Sequence, residues 1–82
     1  MNSMEKTMKV KWSDGKKFVI DVGQVWISPE SGESDVIIDE LTMRDKVYWH
    51  NPHEPPKTMC QFIHGTDGFL DFLESCCYRL KG

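Results

Sequence analysis

Apolar side chains fall at every second position through much of this chain, a period that commits it to extended strands with one face turned inward. Met8, Val10 and Trp12 alternate with Lys9 and Lys11, and Phe18, Ile20 and Val22 follow after Ser13-Asp14-Gly15-Lys16. The Asp-Gly pair in that connection suits a tight hairpin turn. Gly23 allows a bend into a strand expected over Gln24 to Ser28. A turn is expected at Pro29-Glu30-Ser31-Gly32, because Pro presets φ and Gly accepts the left-handed position. Asp35 to Glu40, with consecutive Val36, Ile37 and Ile38, is short and β-branched, which predicts a buried strand. Leu41 to Asp45 is expected to turn, and Lys46 to His50 and Thr58 to Ile63 to form two further strands.

Asn51 to Lys57 holds three prolines in seven residues, so backbone donors are missing and a loop is expected there. His64 to Gly68 is loop-like, with Thr66 or Asp67 expected to cap a helix of two to three turns. In that helix Phe69, Leu70, Phe72 and Leu73 lie on one side and Asp71 and Glu74 on the other. Tyr78-Arg79-Leu80 is expected as a last short strand. The pattern predicts a mainly β (α+β) domain: a small, strongly bent antiparallel sheet or SH3-like barrel of five to six strands with one C-terminal helix.

Eighty-two residues make one domain, 1–82, with residues 1–6 expected as a flexible tail. A domain of this size buries only about 60–65% of the surface its unfolded chain exposes, so a metal, a disulfide or a partner would matter to it. No signal peptide or apolar run long enough to span a membrane is present, and a cytoplasmic location is expected. Three cysteines, two of them the neighbours Cys76 and Cys77, predict reduced thiols.

The net charge of −3 is unevenly spread. Residues 1–17 carry +3, residues 18–45 carry −6, and residues 46–82 balance at zero. Phosphate backbones are bound through clustered Lys and Arg, so a chain with so acidic a middle is an unlikely nucleic-acid partner. The alternative, nucleic-acid binding through the lysine-rich N-terminal hairpin with Trp12 as a stacking surface, is opposed by the commoner role of such lysines as a solvated strand face.

All three histidines and one cysteine fall between Trp49 and His64. His50, His53, Cys60 and His64 are ligand types that zinc takes, which makes a zinc-stapled module an alternative. Pro52 interrupts the first pair, and Cys60 is equally explained as a small hydrophobe in a strand, so no metal or other cofactor is expected. A catalytic reading needs a nucleophile, a base and an orienting group. No glycine-rich phosphate loop, GxSxG elbow or HExxH helix is present, and no catalytic residues are expected.

Trp26 completes the expectation. If Val25 and Ile27 face the core, alternation turns Trp26 outward among acidic side chains. Trp26, Glu30, Glu33, Asp35, Asp39 and Glu40 are then the expected partner-binding surface of a non-enzymatic interaction module. Val47 and Trp49 are expected to share one face of their strand, with Tyr48 on the other.

Val22-Gly23-Gln24-Val25-Trp26, Val36-Ile37-Ile38, Val47-Tyr48-Trp49, Phe69-Leu70-x-Phe72 and Tyr78-Arg79-Leu80 occur in that order. This arrangement resembles small single-domain accessory proteins of bacteriophages and prophages, SH3-like barrels that open on a V-G-Q-V-W strand and close on a Phe-Leu helix. The resemblance spans residues 22 to 80 and implies a phage-encoded protein of the host cytoplasm that binds or inhibits a host protein. It implies no active site. A homodimer is compatible with it.

Overall fold

The computed structural model describes residues 8–11 and 17–81. Strands β1 (Met8–Lys11) and β2 (Lys17–Ile20) pair antiparallel with Met8 opposite Ile20 and Lys11 opposite Lys17. The turn expected between them, Trp12 and the expected tail lie outside the described residues. Strands β3 (Val25–Ser28), β4 (Glu33–Leu41), β5 (Lys46–His50), β6 (Met59–Phe62) and β7 (Arg79–Leu80) form one antiparallel sheet in the order β6-β5-β4-β3-β7. Helix α1 (Phe69–Ser75) connects β6 to β7. The molecule is mainly β, a small α+β fold in which the last strand returns beside β3.

One face of the sheet is dry. Trp26, Val36, Ile38, Leu41, Val47 and Trp49 are buried and meet Phe69, Leu70 and Leu73 of α1, with Ile20, Ile63 and Tyr78 closing the ends. The Trp49 indole stacks on Phe72 at 5.3 Å and 17°, and Phe72 meets Tyr78 at 5.2 Å, so an aromatic row crosses from sheet to helix to the residue that precedes the final strand. Such pairs add to the stability gained from burial alone. Val47 and Trp49 face inward and Tyr48 outward, as alternation predicts.

Three details depart from simple pattern reading. First, Trp26 is only 1% exposed, whereas Val25 and Ile27 are half-buried on the opposite face. The expectation of an outward indole is therefore overturned. The register places Trp26 opposite both Val36 and Leu80, and Val36 is fully buried, so the indole belongs to the dry face. The physical reason is size. A domain this small gains most by enclosing its largest apolar side chain, and Ser28, which shares that face, is accommodated by donating its hydroxyl proton to the Cys76 carbonyl.

Second, β4 changes phase. A bulge between Ile38 and Glu40 inserts Asp39, so the inward positions run Val36, Ile38, Leu41 instead of reaching Glu40. Third, neither Thr66 nor Asp67 caps α1. Gly68 is the N-cap and makes no side-chain cap bond; a Cβ there would lie 2.6 Å from the His64 carbonyl oxygen, so only glycine fits the approach. The helix ends with Cys77 at φ 56°, its amide bonded to the Glu74 carbonyl and the Tyr78 amide to that of Leu73.

The two sides of β3 should respond very differently to truncation. Trp26→Ala removes a fully enclosed indole and is expected to cost about 3–5 kcal/mol in urea unfolding. Val25→Ala should cost no more than about 1 kcal/mol, because that side chain is already partly wetted. Equal losses at the two positions would contradict the assignment of faces.

Candidate interaction surface

The acidic residues picked out in the sequence do not stay together. They separate into two groups along β4, and the groups do different things.

Asp39 and Glu40 serve the fold. The bulge brings both carboxylates toward the proline-rich connection between β5 and β6. The Asp39 Oδ2 oxygen accepts from His50 Nδ1 and from the Lys57 backbone amide, each at 2.7 Å. Glu40 Oε1 lies 2.8 Å from Lys57 Nζ, and this pairing pushes the Lys57 ammonium up from its ordinary value. The same loop is tied by Asn51, whose side-chain amide donates to the Asp35 carbonyl at 2.7 Å and whose backbone amide donates to Glu54 Oε1 at 2.9 Å. A segment with three prolines lacks the donors for a ladder, and it is held instead by side chains of the strand beneath it.

Glu30, Glu33 and Asp35 remain at the β3–β4 turn. Gly32, at φ 70°, donates its amide to the Ser28 carbonyl and closes that turn. A groove of 290 Å³ opens here, lined by Ile27, Ser28, Pro29, Gly32, Glu33 and Asp35. Ile27 and Pro29 give its lining apolar surface and Glu33 and Asp35 give it acidic surface, while Glu30 sits in the same turn outside the lining. No described ion pair involves Glu30, Glu33 or Asp35. The field of Glu33 and Asp35 is felt at Tyr78, whose phenol donates to the Ser34 carbonyl at 2.5 Å. Burial pushes the Tyr78 phenol up, and Glu33 adds to this ahead of smaller contributions from Cys76 and Asp35, raising it to about 12.

Trp26 contributes nothing to this surface. Its Nε1 donates to Gln24 Oε1 at 3.1 Å beneath the sheet. The sequence holds one clue to the groove. In Val25-Trp26-Ile27-Ser28-Pro29, placing the indole inside leaves half-buried Ile27 and exposed Pro29 as the apolar pair beside the acids.

The four residues considered as metal ligands are not gathered. His50 is engaged with Asp39, while His53, Cys60 and His64 are exposed. Among the described residues no group of three or more His, Cys, Asp or Glu side chains is arranged to hold a metal ion. Cys60 does not pack as a small hydrophobe either. It is an exposed thiol opposite Tyr48, and hydrogen bonding to it pushes the Tyr48 phenol up. Cys76 lies against the core, and burial raises its thiol, whereas Cys77 is exposed. The hairpin lysines and Trp12 fall where no side chain is described. No helix among the described residues is long and apolar enough to cross a membrane.

Comparison of the chain with protein-family models, with curated proteins and with solved structures finds no match.

Two measurements probe this division of the acids. Asp39→Ala removes the acceptor shared by His50 and the Lys57 amide and is expected to destabilise the fold by about 1–3 kcal/mol. The same change should speed amide exchange selectively at Lys57; unchanged protection there would contradict the latch. Tyr78 reports the other group. Its native pKa lies above the unfolded value, so its contribution is complete below about pH 10 and is lost as pH rises toward 12. Glu33→Gln with Asp35→Asn should lower the Tyr78 titration midpoint, read by tyrosinate absorbance against a Tyr78→Phe control, yet leave it above that of free tyrosine because burial persists. An unmoved midpoint would show that the carboxylates do not act on this end of the molecule.

Proposed function

We propose that the protein is a non-enzymatic protein-interaction module that engages a larger partner through Glu30, Glu33 and Asp35 around the Ile27–Pro29 groove. Glu33 and Asp35 lining a groove with Ile27 and Pro29, and Glu30 in the same turn, all without an ion pair among the described residues, are the observation that supports this reading. Carboxylates that serve only solubility gain nothing from bordering a concave apolar surface, whereas a binding patch combines an apolar centre with a charged rim. The complementary partner surface is basic, offering Lys or Arg to the carboxylates and an aliphatic or aromatic side chain to Ile27 and Pro29. A nucleic-acid-binding groove of another protein has that chemistry, and occupying it would inhibit its owner. On the resemblance to phage accessory proteins, the chain is phage-encoded and the partner is a host protein met in the host cytoplasm.

Asp39 and Glu40 are removed from the expected contact set because the proline-rich loop already uses them. Trp26 is removed because it is enclosed. The contact set narrows to the turn.

The test compares the wild-type chain with a Glu30→Lys, Glu33→Lys, Asp35→Lys variant, each immobilised and exposed to extract of a bacterial host. A defined protein should be retained by the wild type at low salt. It should be released at about 1 M salt, where the Debye length falls to about 3 Å, and it should not be retained by the variant. Circular dichroism should be the same for both chains, since Glu30 and Glu33 are exposed and Asp35 is only half-buried. Capture that survives charge reversal would remove this surface from consideration.

A further inference from the structure

The two outer strands of the sheet are unlike. At one edge β7 is two residues long and carries Arg79, with Lys81 next to it, the short charged edge that prevents strand addition. At the other edge β6 reads Met59-Cys60-Gln61-Phe62, with no charge and no proline. Among the described residues nothing pairs with its outer side. Met59 is 39% and Phe62 58% exposed, the latter beneath Lys46 at 5.2 Å.

The direction of the β6 backbone groups follows from one hydrogen bond. The Ile63 amide donates to the Asp45 carbonyl at 2.8 Å, so position 63 points toward β5. Antiparallel ladders alternate, and the register opposes Gln61 to Val47 and Met59 to Trp49. Positions 61 and 59 therefore also point toward β5. The N–H and C=O groups of Cys60 and Phe62 point away from the sheet.

We infer that this edge pairs with the β6 edge of a second copy of the chain, antiparallel about a two-fold axis at Gln61. In that register Cys60 of each copy lies opposite Phe62 of the other. All the outward N–H and C=O groups of positions 60 and 62 on both edges are then paired, in four hydrogen bonds. The axis stands perpendicular to the sheet, so the dry faces of the copies stay on the same side, and each exposed phenyl ring lies beside the Cys60–Tyr48 row of its neighbour. Centring the axis on Cys60 instead would leave only one of the two outward positions opposite its counterpart. Because Met59-Cys60-Gln61-Phe62 carries no charge, two copies of this edge meet without like-charge repulsion, and this is the reason for choosing a second copy as the occupant. No carboxylate of the β3–β4 turn takes part, so the dimer is independent of the partner surface proposed above.

Sedimentation equilibrium across roughly 1 μM to 1 mM chain, the range expected for a small interface, tests this. The mass of the wild type should rise with concentration to twice that of the chain. Cys60→Pro removes an amide proton that the monomer does not use, a substitution tolerated on an edge strand, and Phe62→Lys restores the charge that this edge lacks. Both variants should stay at the chain mass with an unchanged circular dichroism spectrum; should Cys60→Pro fail to fold, Phe62→Lys decides alone. The Glu30→Lys, Glu33→Lys, Asp35→Lys chain should dimerise as the wild type does. A wild type that stays monomeric throughout, a folded edge variant that still dimerises, or a dimer abolished by the turn variant would each overturn the inference.

Discussion

The fold turns on which way the Trp26 indole points. Opposite fully buried Val36, it fixes the dry face of β3 and β4 at once, with Leu80 of β7 beside it at the edge. The ladder carries that choice outward to Ile38 and Trp49, and α1 is drawn over the surface so created. Reversing the indole would shift every residue of β3 to the other face, since side-chain direction alternates strictly along a strand. It would also expose the largest enclosed side chain in a domain with few others to replace it.

Once that face is set, the opposite face acquires its character. Val25, Ile27 and Ile37 are left half-buried, and the turn between β3 and β4 presents its carboxylates beside them. The bulge at Asp39 then divides the acidic strand in two. Beyond the bulge the carboxylates reach the proline-rich loop and hold it; before it none forms an ion pair among the described residues. A single inserted residue thus separates side chains that stabilise the fold from side chains left available to another molecule.

Much of this was legible in the sequence, and the limits are physical. The strands over Lys46–His50 and Thr58–Ile63 and the helix beginning at Phe69 follow from period and composition, because their faces differ clearly in polarity. The inward phase of Val47 and Trp49 follows from the same contrast. Val25-Trp26-Ile27-Ser28 offers no such contrast: three apolar residues precede a serine, and Ser28 makes the correct inward phase look polar. Its hydroxyl is satisfied by Cys76, a residue 48 positions away, which no local pattern reveals. The roles of Asp39 and Glu40 were hidden for the same reason, since their partner Lys57 lies across a loop of prolines. Glu30, Glu33 and Asp35 could be grouped from sequence because a four-residue turn keeps them close without tertiary help.

Hydrogen exchange at the Trp26 indole tests the whole account most directly. With its Nε1 proton bonded to Gln24 and its ring 1% exposed, the indole resonance, assigned through Trp26→Phe, should exchange many times more slowly than a free indole. Exchange at the free-indole rate in the folded protein would place the ring in water. That result would contradict the arrangement of faces on which the groove depends.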